Sequence, residues 1–429
     1  MTTGGAIELW TVGTLTNLGT VERGRSRHRP RNDPSLYGGS HPFFQTGDVK
    51  AASLRLSSYG QTYNEMGLAQ SRLWPAGTLL ITIAANIGDT AILDISGCFP
   101  DSIVGFTPYP EKSDVIFVKY LLDHIKRRFE NISRGTTQDN LSLEKLLSVP
   151  LTYPELSTQR KIAAVLSAYD DLIENNTRRI KLLEEMAQRI YREWFVDFRY
   201  PGHEAVPLVD SELGLIPEGW VVGRIGDHAD VVRGRSYRGV DVVEDGGVPF
   251  VNLKCLERDG GFRTDGVKRY AGAFKPAHTV RVGDIVMAVT DMTQERRIVA
   301  RAARIPRLND EIGVFSMDLV KIVPSDISAE YLLGLLSYSD FADRVKAYAN
   351  GANVLHLHPD RISDFRMAFA PPEIEERYAA VISPAQDLAD ALLLASVNLR
   401  ATRDLLLPRL ISGVVDVTDL DIAVSEAAA

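Results

Sequence analysis

The sequence predicts an α+β protein: two small mixed α/β globular units related by an internal repeat, joined to two long heptad helices. Three observations carry that expectation. Short phrases recur in the same order in both halves. Each half holds branched apolar runs of strand length followed by an amphipathic helix. Two Gly-free stretches carry apolar residues at alternating spacings of four and three.

The repeat comes first. "RGRS" ends at Ser26 and again at Ser236, and Gly13 and Gly223 precede the two copies by equal intervals. Pro42-Phe43 is echoed by Pro249-Phe250, Gly77 by Gly283, Gly135 by Gly351 and Leu141 by Leu357. "KYLLDHI" from Lys119 returns as "EYLLGLL" from Glu330, and "AAVLS" ending at Ser167 as "AAVIS" ending at Ser383. Each echo alone is weak. Their shared order indicates a duplicated unit.

Within each unit, "TLLITIA" and "DIVMAV" read as buried strands, bounded by Gly, Pro and Asp. "VKYLLDHIKRRFENI" has helical apolar spacing. After the first unit, residues 157–198 contain neither Pro nor Gly. Ile162, Leu166, Tyr169, Ile173, Ile180, Leu183, Ala187, Ile190 and Trp194 form a heptad seam, with Asn176 filling its one polar place. At 1.5 Å per residue such a helix reaches roughly 60 Å. A single polar seam residue can fix register at a cost in stability; the other reading of Asn176 is a helix-surface position. In the second half, Ser383-Pro384-Ala385-Gln386 reads as a capped helix start. Leu388, Leu392, Ala395, Leu399 and Leu406 then form a seam, with Thr402 between the last two, punctuated by Pro408 and Gly413. The predicted boundaries are 1–155, 156–200, 201–370 (reached through a linker at 201–220), 371–413, and an acidic disordered tail at 414–429.

Composition excludes some classes. With 429 residues, two or more domains are expected. The net charge of −8 does not predict a nucleic-acid binder, so any basic footprint must be local. Two distant cysteines, Cys98 and Cys255, show no metal-ligand spacing, and a reducing cytoplasm is the expected location. The first residues lack the pattern of a signal peptide, and no unbroken apolar run approaches a membrane span.

No phosphate loop, dinucleotide turn or amino-methyltransferase tetrad is present. His356 and His358 in "HLHPD" read as an ordinary loop or strand pair rather than a metal site. The local basic feature is "RGRSRHRPRN", with Arg23, Arg25, Arg27, Arg29 and Arg31 alternating. Arg233, Arg235 and Arg238 occupy the second copy. Guanidinium groups in a loop suit phosphate contacts and bidentate pairing with guanine. Gln45 and Asn252, which follow the two Pro-Phe pairs, are candidates to read adenine; Lys50 and Lys254 are candidates for phosphate. Arg134 and Gln138 in "SRGTTQDNLS" complete the candidate set. At each position the bland alternative is a solvated surface side chain.

Four stretches then carry a family resemblance: "STQRKIAAVLSAYDDLIENNTRRIKLLEEMAQRIYREWFVDF", "DSELGLIPEGW", "NLRATRDLLLPRLISGVVDV" and "RGTTQDNLS". Together they resemble the specificity subunits of type I restriction–modification systems. The resemblance implies two target-recognition domains at the ends of two antiparallel conserved helices. Each domain would read one half of a bipartite, asymmetric site in double-stranded DNA. The helices would set the spacer and dock two modification (methyltransferase) subunits, which restriction (endonuclease/translocase) subunits join. S-adenosylmethionine, ATP and Mg²⁺ would belong to those partners, with no cofactor, metal or catalytic residue in this chain and no membrane contact. "GANVLHLHPDRISDF" in the second half lacks the Thr-Gln of the first, so no counterpart of Gln138 is assigned there. The alternatives are a stand-alone enzyme, a coiled-coil scaffold, or a DNA-binding protein without restriction partners.

Overall fold

The computed structural model describes residues 10–133, 141–308 and 310–424. Strands and helices are mixed throughout, and the chain divides into two compact units: residues 1–175 with 396–429, and residues 176–395.

In the first unit a five-stranded sheet runs in the order Gly19–Arg23, Ile103–Pro108, Leu79–Thr82, Thr90–Leu93, Arg55–Leu56. All its pairings are antiparallel except the last, which is parallel. The run "LLIT" is buried at every position because the sheet is covered on both faces. Leu79 and Ile81 join one core with Phe117, Leu121 and Phe129 of the helix Val115–Ser133. Leu80 joins the other, with Phe44, Trp74 and Phe99. That helix starts where Asp114 Oδ1 accepts from Phe117 N at 2.9 Å, satisfying an orphan first-turn amide.

The second unit repeats the plan. Its four-stranded antiparallel sheet runs Ala229–Arg233, Leu319–Pro324, Ile285–Ala288, Ala302–Arg304. Ile285 and Met287 face one core, Val286 and Ala288 the other. The echoes fall at matching places. Gly13 pairs with Leu151 and Gly223 with Met367, each in a two-stranded ribbon. Phe43 pairs with Gln61 and Phe250 with Lys268. Gly77 and Gly283 both have positive φ. The amide of Leu141 donates to Ile83 O at 2.9 Å, and that of Leu357 to Val289 O at 2.8 Å.

The first long helix spans Leu156–Tyr191 and closes in a π-turn, Arg192–Val196. It is shorter than the predicted 156–200, because its last residues leave the helical path for an aromatic cluster. Phe195 lies 4.7 Å from Tyr331 and 5.0 Å from Tyr378, and Phe198 lies 5.1 Å from Trp220. Ile162, Leu166, Ile173, Asn176 and Ala187 are buried, and Tyr169, Ile180, Leu183, Ile190 and Trp194 half-buried. Asn176 thus lies in the buried face.

The second long helix spans Pro372–Ile411. Three expectations about it need correction. Ser383 is not an N-cap: the helix begins eleven residues earlier and runs through Pro384. That proline is exposed, so the Ala380 carbonyl it leaves without a donor faces water. Pro408 likewise lies inside the helix. The seam also has a different register. Leu392 is buried, and Leu399 and Leu406 half-buried, but Leu388 is 41% exposed and Ala395 and Thr402 are exposed. The buried or half-buried line is Glu375, Tyr378, Ile382, Ala385, Ala389, Leu392, Ser396, Leu399, Arg403, Leu406 and Leu410. It keeps a strict three–four alternation while including polar residues that an apolar count passes over. One 18-residue window of this helix has mean hydropathy 1.3, long and apolar enough by length and composition to cross a membrane, although charged and polar residues interrupt its apolar runs.

The expected disordered tail is ordered through the described residues. Val417 is buried beside Leu410 and Ile411, and Lys161 Nζ donates to Thr418 O at 2.6 Å. Apolar residues at Val415, Val417 and Ile422 interrupt the acidic composition and join the first unit's core. Within this unit residue 161 meets 418 while Asp170 meets Arg403, so the two helical segments run antiparallel.

Candidate nucleic-acid interface

The doubled phrase has a structural cause at its glycine. Gly24 N donates to Ile103 O at 2.9 Å, and Arg25 N to Phe99 O at 3.0 Å. Gly234 N donates to Leu319 O at 3.2 Å, and Arg235 N to Phe315 O at 2.8 Å. A Cβ at Gly24 would land on Pro100 O and Phe99; one at Gly234 would land on Ser316 O. Both copies therefore occupy one niche, where the chain leaves the edge strand and is clamped against the adjoining loop.

Beyond the serine the copies diverge. Ser26 is buried and Ser236 exposed. In the first unit Ser71 Oγ donates to Arg25 O at 2.7 Å. Gln70 Oε1 accepts from Arg27 N at 2.6 Å and His28 N at 3.0 Å. The backbone of the strip is thus fixed by two adjacent side chains. Arg29 Nη1 donates to Ser26 O and His28 O, and Arg29 and Arg31 reach Asp101 at 3.8 and 2.6 Å. His28 Nε2 lies 2.9 Å from Asp33. The Asp33 carboxyl is held down at about 2, first by the Ser35 hydroxyl, then by the Ser35 amide and His28. Arg23, Arg25 and Arg27 are exposed, and none makes an ion pair among the described residues. The five arginines therefore divide into three outward charges and two braced ones.

The other candidates separate as well. Gln45 is exposed, and its Nε2 donates to Gln61 Oε1 at 2.7 Å. Lys50 is exposed, with Nζ 3.3 Å from Asn86 Oδ1. Lys254 is exposed. Asn252 is 8% exposed: its Nδ2 donates to Phe250 O and Gly266 O, and its Oδ1 accepts from Lys254 N. Its amide caps a turn and has nothing left to offer a base, so the adenine-reading expectation for Asn252 is withdrawn. Arg134 and Gln138 lie outside the described residues. Arg238 is exposed and paired with Asp241 at 3.2 Å, while Arg235 is half-buried, with Nε lacking a hydrogen-bond partner.

Arg233 is exposed, and its Nη2 lies 3.2 Å from His358 Nε2. Both line a cleft of about 1000 Å³ in the second unit, with Arg296, Tyr348, His356 and Arg361. His356 sits on a strand paired with Thr290–Asp291, as the strand-pair reading of "HLHPD" expected. Arg296 and Arg361 were not singled out from the sequence, where nothing but their charge marks them. Their convergence depends on loop geometry.

Comparisons with known proteins agree with this architecture. Residues 7–185 match the type I restriction modification DNA specificity domain. The chain is 29% identical over 252 residues to the type I restriction enzyme MjaIX specificity subunit of Methanocaldococcus jannaschii, covering 58% of each chain. The matched stretch is thus less than two thirds of that relative's length. The MjaVIII specificity subunit of the same organism is 22% identical over 317 residues, covering 70% of this chain and 69% of its own. The HindI specificity subunit of Haemophilus influenzae is 38% identical over 79 residues, 18% of this chain and 17% of its own. The crystal structure of a type I restriction–modification S subunit from M. genitalium shares the fold, with a TM-score of 0.60 at 15% identity over 96% of this chain and 98% of that one. Residues 7–185 thus carry a type I restriction modification DNA specificity domain, and the chain shares the fold of a type I restriction–modification S subunit.

Proposed function

We propose that this chain is the sequence-specific DNA-binding subunit of a type I restriction–modification complex and performs no bond chemistry itself. Each repeat unit reads one half of a bipartite, asymmetric site. Its domains are residues 1–155 and 201–370, and the helices at 156–200 and 371–413 set the unread spacer and dock two methyltransferase subunits. Restriction subunits join that assembly. S-adenosylmethionine, ATP and Mg²⁺ act on those partners, and the complex works in the cytoplasm.

One observation carries the reading: the same clamped niche in both units presents exposed arginines with no carboxylate partner among the described residues, Arg23 and Arg25 in one and Arg233 in the other. Such charges on an otherwise acidic chain attract phosphate, and duplication supplies two grips on one duplex. Letters common to both copies hold DNA in general. Residues that differ between copies, beginning with "RHRPRN" against "YRGVDV", discriminate bases. A wrong base pair within a half-site then costs about 1–3 kcal/mol.

The test is methylome sequencing of the host with and without this gene, then with residues 1–155 exchanged for those of another family member. The expected outcome is a bipartite motif that disappears on deletion and changes in one half on exchange. A motif that persists on deletion, or changes in both halves on exchange, overturns the reading.

A further inference from the structure

We propose that the cleft of the second unit is a seat for the phosphodiester backbone of the second half-site, gripped by Arg233, Arg296 and Arg361. The proposal deepens the DNA-recognition reading above and rests on it.

Three segments far apart in sequence deliver these guanidinium groups. Arg233 ends the edge strand, Arg296 stands in the loop after Asp291, and Arg361 lies in the short helix Asp360–Ser363. None of the three forms an ion pair with a carboxylate among the described residues, although two carboxylates line the same cleft. Asp364 faces Arg224 at 3.8 Å, and Asp360 faces His358 Nδ1 at 3.2 Å. Arg224 lies outside the cleft and His358 within it, so both acids have partners of their own and the three guanidinium groups have no carboxylate at ion-pair distance among the described residues.

The walls are set before any ligand arrives. Asp291 is buried, and its carboxylate accepts from Thr293 N at 2.8 Å, Ile298 N at 2.8 Å and Val299 N at 3.3 Å. It thereby shapes the loop in which Arg296 adopts φ +54°. Gln294 Nε2 donates to Gly351 O at 3.3 Å and Ala352 O at 3.1 Å, tying that loop to the segment that follows Asn350. His358 holds Arg233 from one side, and Arg361 stacks 5.2 Å over the exposed ring of Tyr348. Three guanidinium groups without a carboxylate partner on a fixed frame suit a ligand with several anionic oxygens. About 1000 Å³ exceeds what a single phosphate fills and accommodates a stretch of sugar-phosphate chain.

The experiment measures binding of the full chain to a random-sequence duplex pool by fluorescence anisotropy across a salt series. The variants are Arg296→Ala, Arg361→Ala, the two combined, and Arg258→Ala as an exposed arginine outside the cleft. Each cleft substitution is expected to weaken binding about tenfold and to lower the log–log salt slope by about one; Arg258→Ala leaves both unchanged. Arg361 is exposed on a short helix, so its variant reports even if the loop around Arg296 collapses. Wild-type affinity and slope in the double variant overturn the cleft while leaving DNA recognition standing. An equal loss in Arg258→Ala also overturns it, since bulk charge then explains the effect. Absence of duplex binding by the wild-type chain overturns DNA recognition itself, and the cleft with it.

Discussion

Asp170 of the first long helix, 2% exposed, is paired with Arg403 of the second, and the Tyr120 hydroxyl donates to the same carboxylate. A charge on each helix is thus consumed inside the first unit. Removing one partner strands the other. Arg403→Leu is expected to destabilise by about 3–5 kcal/mol, because Asp170 stays buried with Tyr120 as its one remaining partner among the described residues. Replacing both by leucine is expected to recover most of that loss. Urea unfolding of the two single variants and the double variant tests the pair; additive losses would show that it does not couple the helices.

The same pair fixes the seam register, which gives a second prediction. Leu392→Ala removes a buried side chain and is expected to cost about 2–5 kcal/mol. Leu388→Ala, at 41% exposure, is expected to cost well under half as much. Thermal unfolding of both variants discriminates the two registers, and equal losses would restore the apolar one.

Gly24 and Gly234 supply a third. Neither admits a Cβ without displacing backbone, so Gly24→Ala and Gly234→Ala are each expected to destabilise their own unit by more than about 2 kcal/mol. Alanine at Gly47, where nothing lies within 4 Å of a built Cβ, is the control and is expected to be tolerated. Limited proteolysis localises the damage to one unit or the other.

The braced and outward arginines of the first unit give a fourth. Arg23→Ala, Arg25→Ala and Arg27→Ala are each expected to lower the salt slope of DNA binding by about one. Arg31→Ala removes a side chain already paired with Asp101 and is expected to change the slope less. Equal slopes across all four variants would mean that Asp101 does not set Arg31 apart.

What the sequence disclosed and what it hid follow from contact range. The duplication was legible because glycines and buried apolar residues occupy matched places: Gly13 and Gly223, Leu141 and Leu357, Phe43 and Phe250. Strands and the Val115–Ser133 helix were legible because periodicity is local. The second seam was misread because Ser396 and Arg403 belong to it, and the partner of Arg403 lies 233 residues away. Ser383-Pro384-Ala385-Gln386 imitated a cap whose local chemistry was sound but whose upstream residues continued the helix. Asn252 has the side chain a base reader needs, yet it is used on its own turn. The division of the arginine strip was invisible because Asp101 lies 70 residues from Arg31. The cleft needs a strand end, a loop and a short helix brought together in space, and charge alone does not announce that.

Glu375 yields the final prediction, one of pH. It lies in the first turn of the second long helix and is 4% exposed. Burial pushes its carboxyl up to about 7; the Asp326 carboxylate adds to the rise, and the Ser328 amide opposes it. An unfolded glutamate titrates near 4.5. Between those values the folded chain holds a proton that the unfolded chain releases, so stability rises as pH falls through this window. The penalty for burying the charge is absent below about 4.5 and complete above about 7. Its size is on the order of 3 kcal/mol. Glu375→Gln keeps an oxygen for the Ser328 amide and removes the titration. It is expected to raise stability at pH 8 by about 1–3 kcal/mol and to flatten the pH dependence between 5 and 7. Denaturant unfolding at pH 5, 6, 7 and 8 measures both effects. Parallel pH profiles for the variant and the wild-type chain would assign the titration to another group.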